Sequence, residues 1–235
     1  MRIKITIDAK NMTIPRNYLH MIQGIIYDSL PREYANDLHE DKKFKLFNFS
    51  LLRGDYIPVR LPNENTDLLV FLGTAELYIS SVKKEFIMML LNSFSNYGYL
   101  RFGNYLARII TIEEDVVNIS EDEINVSCLS PVTIHKTVDD KTIYYNPYDE
   151  EFFDAINVNF SKKLKEDNDH LLAFSNVNNV TKVLAKYKSF IIEAYKFDCT
   201  IKADKKYLKV IMSLGLGARN SYGFGMLRIN NKRKY

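Results

Sequence analysis

Arg2 to Asp8 alternates polar and apolar residues, with Ile3, Ile5 and Ile7 on one side, the period-two signature of a half-buried strand. The period then changes. Thr13 and Pro15 are helix-start signals, and Leu19, Ile22, Ile26 and Leu30 recur at spacings of three and four up to Pro31, which predicts an amphipathic helix. Arg32 to Lys43 is polar and reads as a connection. The apolar run Phe44 to Leu52, ahead of a turn at Arg53-Gly54-Asp55, predicts a strand and hairpin. Leu68 to Ile79 reads as a further strand. Ser81 to Phe94 reads as a helix carrying Val82, Phe86, Met89, Leu90 and Phe94, and Tyr99 to Ile112 as a closing strand. The order β-α-β-β-α-β is the ferredoxin-like unit.

Glu113 to Glu123 is acidic with little apolar periodicity, and it separates a first unit, residues 1–119, from a second, residues 120–235. In the second, Ile124 to Ile134 predicts a strand broken at Ser130-Pro131. Pro147 to Leu164 carries a helical pattern through Phe152, Ala155 and Ile156, and Phe190 to Ala203 and Lys206 to Leu214 read as strands. The polar, Asn-rich stretch Leu164 to Lys188 is left to supply the unit's second helix. The predicted class is α+β, with two ferredoxin-like (RRM-like) halves in tandem.

Composition narrows the function classes. The chain of 235 residues has 46% hydrophobic and 26% charged residues, a globular balance. No apolar run approaches the ~20 residues of a membrane-spanning helix, so a cytoplasmic setting is expected. Two cysteines, Cys128 and Cys199, are too few for a disulfide framework and lie in no metal-ligand spacing. The net charge of +3 hides an asymmetry: residues 1–180 hold 19 Lys/Arg against 26 Asp/Glu, and residues 181–235 hold 13 against 3. A basic C-terminal quarter on an acidic body suits a polyanionic partner if its charges share a face.

Four of nine glycines fall in one window, Gly215-Leu216-Gly217-Ala218-Arg219-Asn220-Ser221-Tyr222-Gly223-Phe224-Gly225. Glycines let a backbone approach a phosphate closely, and Arg219, Asn220 and Ser221 add side-chain donors, so the window is a candidate cradle for a nucleic-acid backbone. It lacks the Walker A and dinucleotide-binding spacings, and no cofactor is indicated. A bulged Gly-rich hairpin explains the same glycines without a ligand. Lys205, Lys206, Lys209 and Arg228 flank the window. Tyr144, Tyr145 and Tyr148 are candidates for stacking bases.

Histidine is the side chain suited to proton transfer near neutral pH. His20 opens the first helix and shares a face with Gly24 and Tyr27, while His39 lies six residues before Lys45. A loop histidine, a strand lysine and a helix tyrosine can converge at one end of the first unit. His135 and His170 default to structural or surface roles. No paired acidic motif points to two-metal phosphodiester chemistry, so a metal-free reaction is expected.

Ile26-Tyr27, Leu38-His39-Glu40, Phe44-Lys45-Leu46-Phe47, Phe49-Ser50-Leu51, Ser130-Pro131 and the glycine window together resemble the CRISPR-associated repeat-RNA-processing endoribonucleases of the RAMP superfamily, over the whole length. The resemblance implies a tandem ferredoxin-like fold that binds CRISPR repeat RNA and cuts it once per repeat without metal. It implies Tyr27, His39 and Lys45 as the catalytic set, with His20 as the rival histidine. It implies RNA contacts from Gly215, Gly217, Arg219, Asn220, Ser221, Gly223, Gly225 and Lys209. Pairing with a second copy, and joining a larger interference complex, stay open. The alternatives are a non-cleaving RNA-binding subunit of the same superfamily and a ferredoxin-like ligand-binding regulator.

Overall fold

The three isoleucines of the first strand are buried on one face, and this strand, β1 (Arg2–Asp8), forms the centre of the first sheet. The computed structural model describes residues 1–39, 44–60, 67–139, 141–188 and 190–230, and the side chain of His39 lies outside that description. After β1 come β2 (Thr13–Pro15), α1 (Leu19–Asp28), α2 (Arg32–His39), β3 (Phe47–Phe49), β4 (Tyr56–Arg60) and β5 (Asp67–Phe71). β6 (Thr74–Ser81), α3 (Lys84–Tyr97), β7 (Tyr99–Phe102) and β8 (Tyr105–Glu114) follow. Five strands make one sheet in the order β3-β6-β1-β8-β7. Without its edge strand β7, that is the ferredoxin-like order, with α1 and α3 as the two crossover helices.

α3 is held by Phe86, Ile87, Leu90 and Phe94, all buried at spacings of one, three and four, and stops at Gly98 in the left-handed conformation, φ 70°. Each such side chain contributes about 1.5–3 kcal/mol by leaving water. Phe86 stacks on Phe47 at 4.9 Å, so α3 and β3 are fixed to one another. Thr13 and Pro15 do not start α1. They belong to β2, which pairs with Leu68–Val70 of β5. The connection after α1 is also more ordered than its polarity predicts, because it contains α2, which ends at His39.

The second half runs β9 (Glu123–Cys128), β10 (His135–Val138), β11 (Lys141–Tyr144), α4 (Glu151–Leu164), β12 (Ala173–Tyr187), β13 (Phe190–Lys202), α5 (Lys205–Leu214) and β14 (Leu227–Ile229), with a 3₁₀ turn at Asn220–Tyr222. Its sheet order is β12-β13-β9-β14, again ferredoxin-like, with α4 and α5 as the helices.

Two sequence expectations are corrected here. The Asn-rich segment forms the long strand β12 instead of a helix. Twice along it three residues face two of β13, between Ser175 and Asn178 and between Asn178 and Thr181, with Asn176 and Asn179 at φ 52° and 54°. These bulges set the half-buried positions Phe174, Val177, Val180 and Val183 three apart, so the period of two that marks a strand is lost. Conversely, Lys206 to Leu214 is helix α5, with Leu208, Ile211, Met212 and Leu214 buried; Leu208, Val210, Met212 and Leu214 alternate along the sequence and so read as a strand.

The halves are joined through their cores. Tyr187, Ile192, Ala194 and Phe224 of the second half pack into the hydrophobic cluster of the first. Ser80 Oγ donates to Ser213 O at 2.8 Å and Asn48 Nδ2 to Leu214 O at 3.2 Å, which ties the end of α5 to β6 and β3. Arg2 pairs with Asp115 at 2.6 Å and donates to Leu227 O of β14.

Candidate active site and RNA interface

α1 presents His20, Gln23 and Tyr27 on one face, spaced three and four apart. His20 Nδ1 lies 2.8 Å from Asn17 O. A carbonyl only accepts, so Nδ1–H is the donor in this contact, which fixes the orientation of the ring on the helix. The His20 ring meets Tyr187 edge-on at 6.5 Å, and Tyr187 stacks on Tyr222 at 4.5 Å with the planes 5° apart. Tyr187 Oη donates to Gln23 Oε1, and Gln23 Nε2 donates to Ser221 O at 2.7 Å. One helix face therefore carries the tip of the β12–β13 hairpin and the glycine-rich loop together.

At the other end of that face, Tyr27 is half-buried with its ring edge-on to Phe47 at 6.2 Å, and Lys45 Nζ lies 6.0 Å from the ring centroid. Burial, and then nearby Tyr222, push the Tyr27 phenol up to about 12. It stays protonated at working pH, so its chemistry is donation. Lys45 immediately precedes β3, and Phe47 N–H donates to its carbonyl at 2.8 Å. His39 is the last residue of α2, five positions before Phe44 in sequence, and its side chain lies outside the described residues. Tyr27 and Lys45 are thus brought together, with His20, Gln23, Tyr187 and Tyr222 along the same helix face.

The glycine-rich loop owes its composition to close packing. Gly215, Gly217, Gly223 and Gly225 all have positive φ and are buried. At Gly225, φ 80°, an added Cβ would sit 2.0 Å from Leu216 O. At Gly223, φ 89°, it would meet Phe49 of β3 at 2.6 Å and Leu19 of α1 at 3.0 Å. The glycines therefore let the loop lie directly on the elements that carry Tyr27 and Lys45.

Asn220, read from sequence as a donor for a ligand, is engaged inside the loop. Its Nδ2 donates to Leu216 O and Phe224 O, both at 3.0 Å. Its Oδ1 accepts from Lys163 Nζ at 2.5 Å, and the same ammonium donates to Gly217 O at 2.6 Å. Burial pushes Lys163 down to about 7. Ser221 is buried, Arg219 is half-buried at φ 57°, and Lys209 is exposed on α5.

Tyr145 lies under Lys136 at 5.2 Å, Tyr148 is exposed, and Tyr144 packs on His135. Burial pushes the thiols of Cys128 and Cys199 up to about 12, which removes them as nucleophiles. Among the described residues, no group of three or more His, Cys, Asp or Glu is placed to hold a metal ion, and no helix is long and apolar enough to cross a membrane.

Sequence reasoning missed Gln23, Tyr187 and Tyr222. No local signal finds them, because Tyr187 meets Gln23 across 164 positions of sequence and Gln23 meets Ser221 across 198.

Comparison with known proteins finds relatives along nearly the whole chain. The family model for the N-terminal part of CRISPR-associated protein Cas6 matches residues 13–110, and the C-terminal Cas6 model matches residues 112–229. A CRISPR-associated endoribonuclease Cas6 of Methanocaldococcus jannaschii is 28% identical over 240 residues, covering 97% of this chain and 92% of that protein. The corresponding enzyme of Pyrococcus furiosus is 25% identical, covering 94% of this chain and 85% of that protein. Among solved structures, a CRISPR-associated Cas6 protein superposes with a TM-score of 0.78 at 25% identity, over 98% of this chain and 99% of that one. A RAMP protein described as binding different RNA substrates gives 0.79 at 19% identity, over 98% and 100%, a likeness of fold.

Proposed function

Since the chain belongs to the Cas6 family of CRISPR-associated proteins, we propose that it is an endoribonuclease that cuts CRISPR precursor RNA within each repeat, without metal, to release guide RNAs. The observation that carries this reading is the full-length match to relatives named as endoribonucleases. In this reading residues 1–119 bring the reacting groups and residues 120–235 most of the hold on RNA.

The nucleophile is the ribose 2′-OH next to the scissile phosphate. Its oxygen attacks phosphorus, the P–O5′ bond breaks, and the products are a 2′,3′-cyclic phosphate and a 5′-OH. The protein then needs proton transfer, alignment and charge stabilisation. His39 takes the proton-transfer role, an effect of roughly 10²–10⁴ in rate. Lys45 stabilises the extra negative charge that develops on the phosphorane. Tyr27, whose phenol burial keeps protonated, donates a hydrogen bond to the sugar or phosphate. His20, with Nδ1 tied to Asn17 O and its ring against Tyr187, is the rival for the histidine role.

The test is cleavage of repeat RNA in excess chelator by the wild type, His39→Ala and His20→Ala, with RNA affinity measured in parallel. The expected result is chelator-resistant cutting by the wild type, loss of at least a hundredfold in rate for His39→Ala, and unchanged affinity. Full activity in His39→Ala with loss in His20→Ala would move the role to the helix. RNA that is bound and never cut would make the protein a non-cleaving subunit.

A further inference from the structure

A cavity of about 410 Å³ opens between the β12–β13 hairpin and the glycine-rich loop, lined by Thr142 and Tyr144 of β11, Phe190 and Ile191 of β13, and Arg219 of the loop. Its volume is within the usual range for small-ligand sites. Its walls are unusual for an idle surface. Phe190 and Ile191 are 63% and 67% exposed, although they sit where β13 leaves the hairpin tip. An apolar pair held this far into water costs free energy unless something covers it.

The polar side of the pocket is equally incomplete. Arg219 Nε is buried and has no hydrogen-bond partner among the described residues, and the same is true of His135 Nδ1, directly behind Tyr144. A buried nitrogen without a partner is costly, and a ligand supplying an acceptor recovers that cost. Burial, and then the Arg219 charge, hold His135 below its usual value, so it remains neutral and adds no repulsion there.

The pocket is coupled to the site described above. Phe190 pairs directly with Tyr187 across the hairpin, and Tyr222 N–H donates to Arg219 O at 2.9 Å. Tyr187 and Tyr222 are the stacked pair on the His20–Tyr27 face. A chain threaded past that face can therefore place a neighbouring unit in this pocket.

A ligand that fits must offer a flat apolar face to Phe190 and Tyr144 and edge acceptors to Arg219. Resting on the RNA-cutting reading, we propose that this pocket seats one unpaired nucleobase of the bound RNA, stacked on Phe190 and read along its edge by Arg219. Bases flipped from single-stranded RNA are recognised by this combination of aromatic stacking and arginine donation. Positioning one base fixes the register of the strand, and so selects which phosphate reaches Tyr27 and Lys45.

The test uses repeat RNA with a single abasic nucleotide walked along its unpaired flanks, titrated against the wild type, Phe190→Ala and Phe190→Tyr. The wild type is expected to lose about tenfold in affinity at one abasic position, the weight of one stacked base. Phe190→Ala should bind intact RNA about tenfold more weakly and lose nothing further at that position, while Phe190→Tyr should behave as wild type. Because Phe190 is exposed, its replacement should leave the circular dichroism spectrum unchanged. Wild-type affinity in Phe190→Ala, or equal abasic losses in both proteins, overturns the proposal. So does a change in self-association or in binding to a protein partner with RNA affinity intact. An abasic pattern as expected in a protein that never cuts would overturn the endonuclease reading alone.

Discussion

The two halves share one strand order and differ in the regularity of what they build on it. In the first, regular elements carry the candidate reacting groups: Tyr27 on a helix whose apolar stripe is read at spacings of three and four, and Lys45 at the entry to a fully buried strand. In the second, the distinctive features are irregular: a strand with two bulges and a loop whose four glycines all have positive φ. The comparison teaches that the irregular half completes the regular one. Tyr187 and Tyr222 come from the second half, yet they stand on the helix face of the first, and Phe224 is buried in the first half's core.

If that interlock holds, the substitution with the largest effect is in the loop. Gly225→Ala places a Cβ 2.0 Å from Leu216 O at a φ of 80°, so backbone must move. It should lower stability by about 3–5 kcal/mol, and the melting temperature by about 10 °C. Calorimetry should still show one transition, since the loop is part of the first core. Two separated transitions, or an unchanged melting temperature, would break the picture of halves joined through the loop.

A smaller effect sharpens it. Lys163 of α4 is half-buried, and its amine holds the loop through Gly217 O and Asn220 Oδ1. Its amine is pushed down to about 7, against about 10.4 in the unfolded chain. Between those values the unfolded state binds the extra proton, so stability rises with pH, by at most about 1.4 kcal/mol per unit. The buried thiols act the other way once pH exceeds about 8.5, because their unfolded values lie near there. Denaturant unfolding between pH 7 and 8.5 should therefore show the wild type gaining stability relative to Lys163→Met. Parallel curves would mean that Lys163 bears no such load.

Most of the first half was legible because its elements follow simple periods. Ile3, Ile5 and Ile7 alternate, while Leu19, Ile22 and Ile26 recur as a helix requires. β12 was not seen as a strand because each bulge adds a residue and removes the period of two, which leaves a polar, Asn-rich stretch, and α5 was read as a strand because Leu208, Val210, Met212 and Leu214 alternate along the sequence. The candidate site was legible in the glycine window, where donors cluster locally, and in Tyr27 and Lys45, which the family resemblance implies and the fold brings to 6.0 Å. Gln23, Tyr187 and the internal role of Asn220 depend on contacts between distant segments, which no local pattern encodes. The glycine window itself was visible, but its reason was not: its glycines face Leu19, Asn48, Phe49 and Thr133 across the fold.

The central claim, that the RNA supplies its own nucleophile while Tyr27, His39 and Lys45 serve it, is tested most directly by one atom of the substrate. Repeat RNA with 2′-deoxyribose immediately 5′ of the scissile phosphate should bind with the affinity of the unmodified strand and remain uncut. Cleavage at that same phosphate would contradict the account, because the attacking oxygen would have to come from elsewhere.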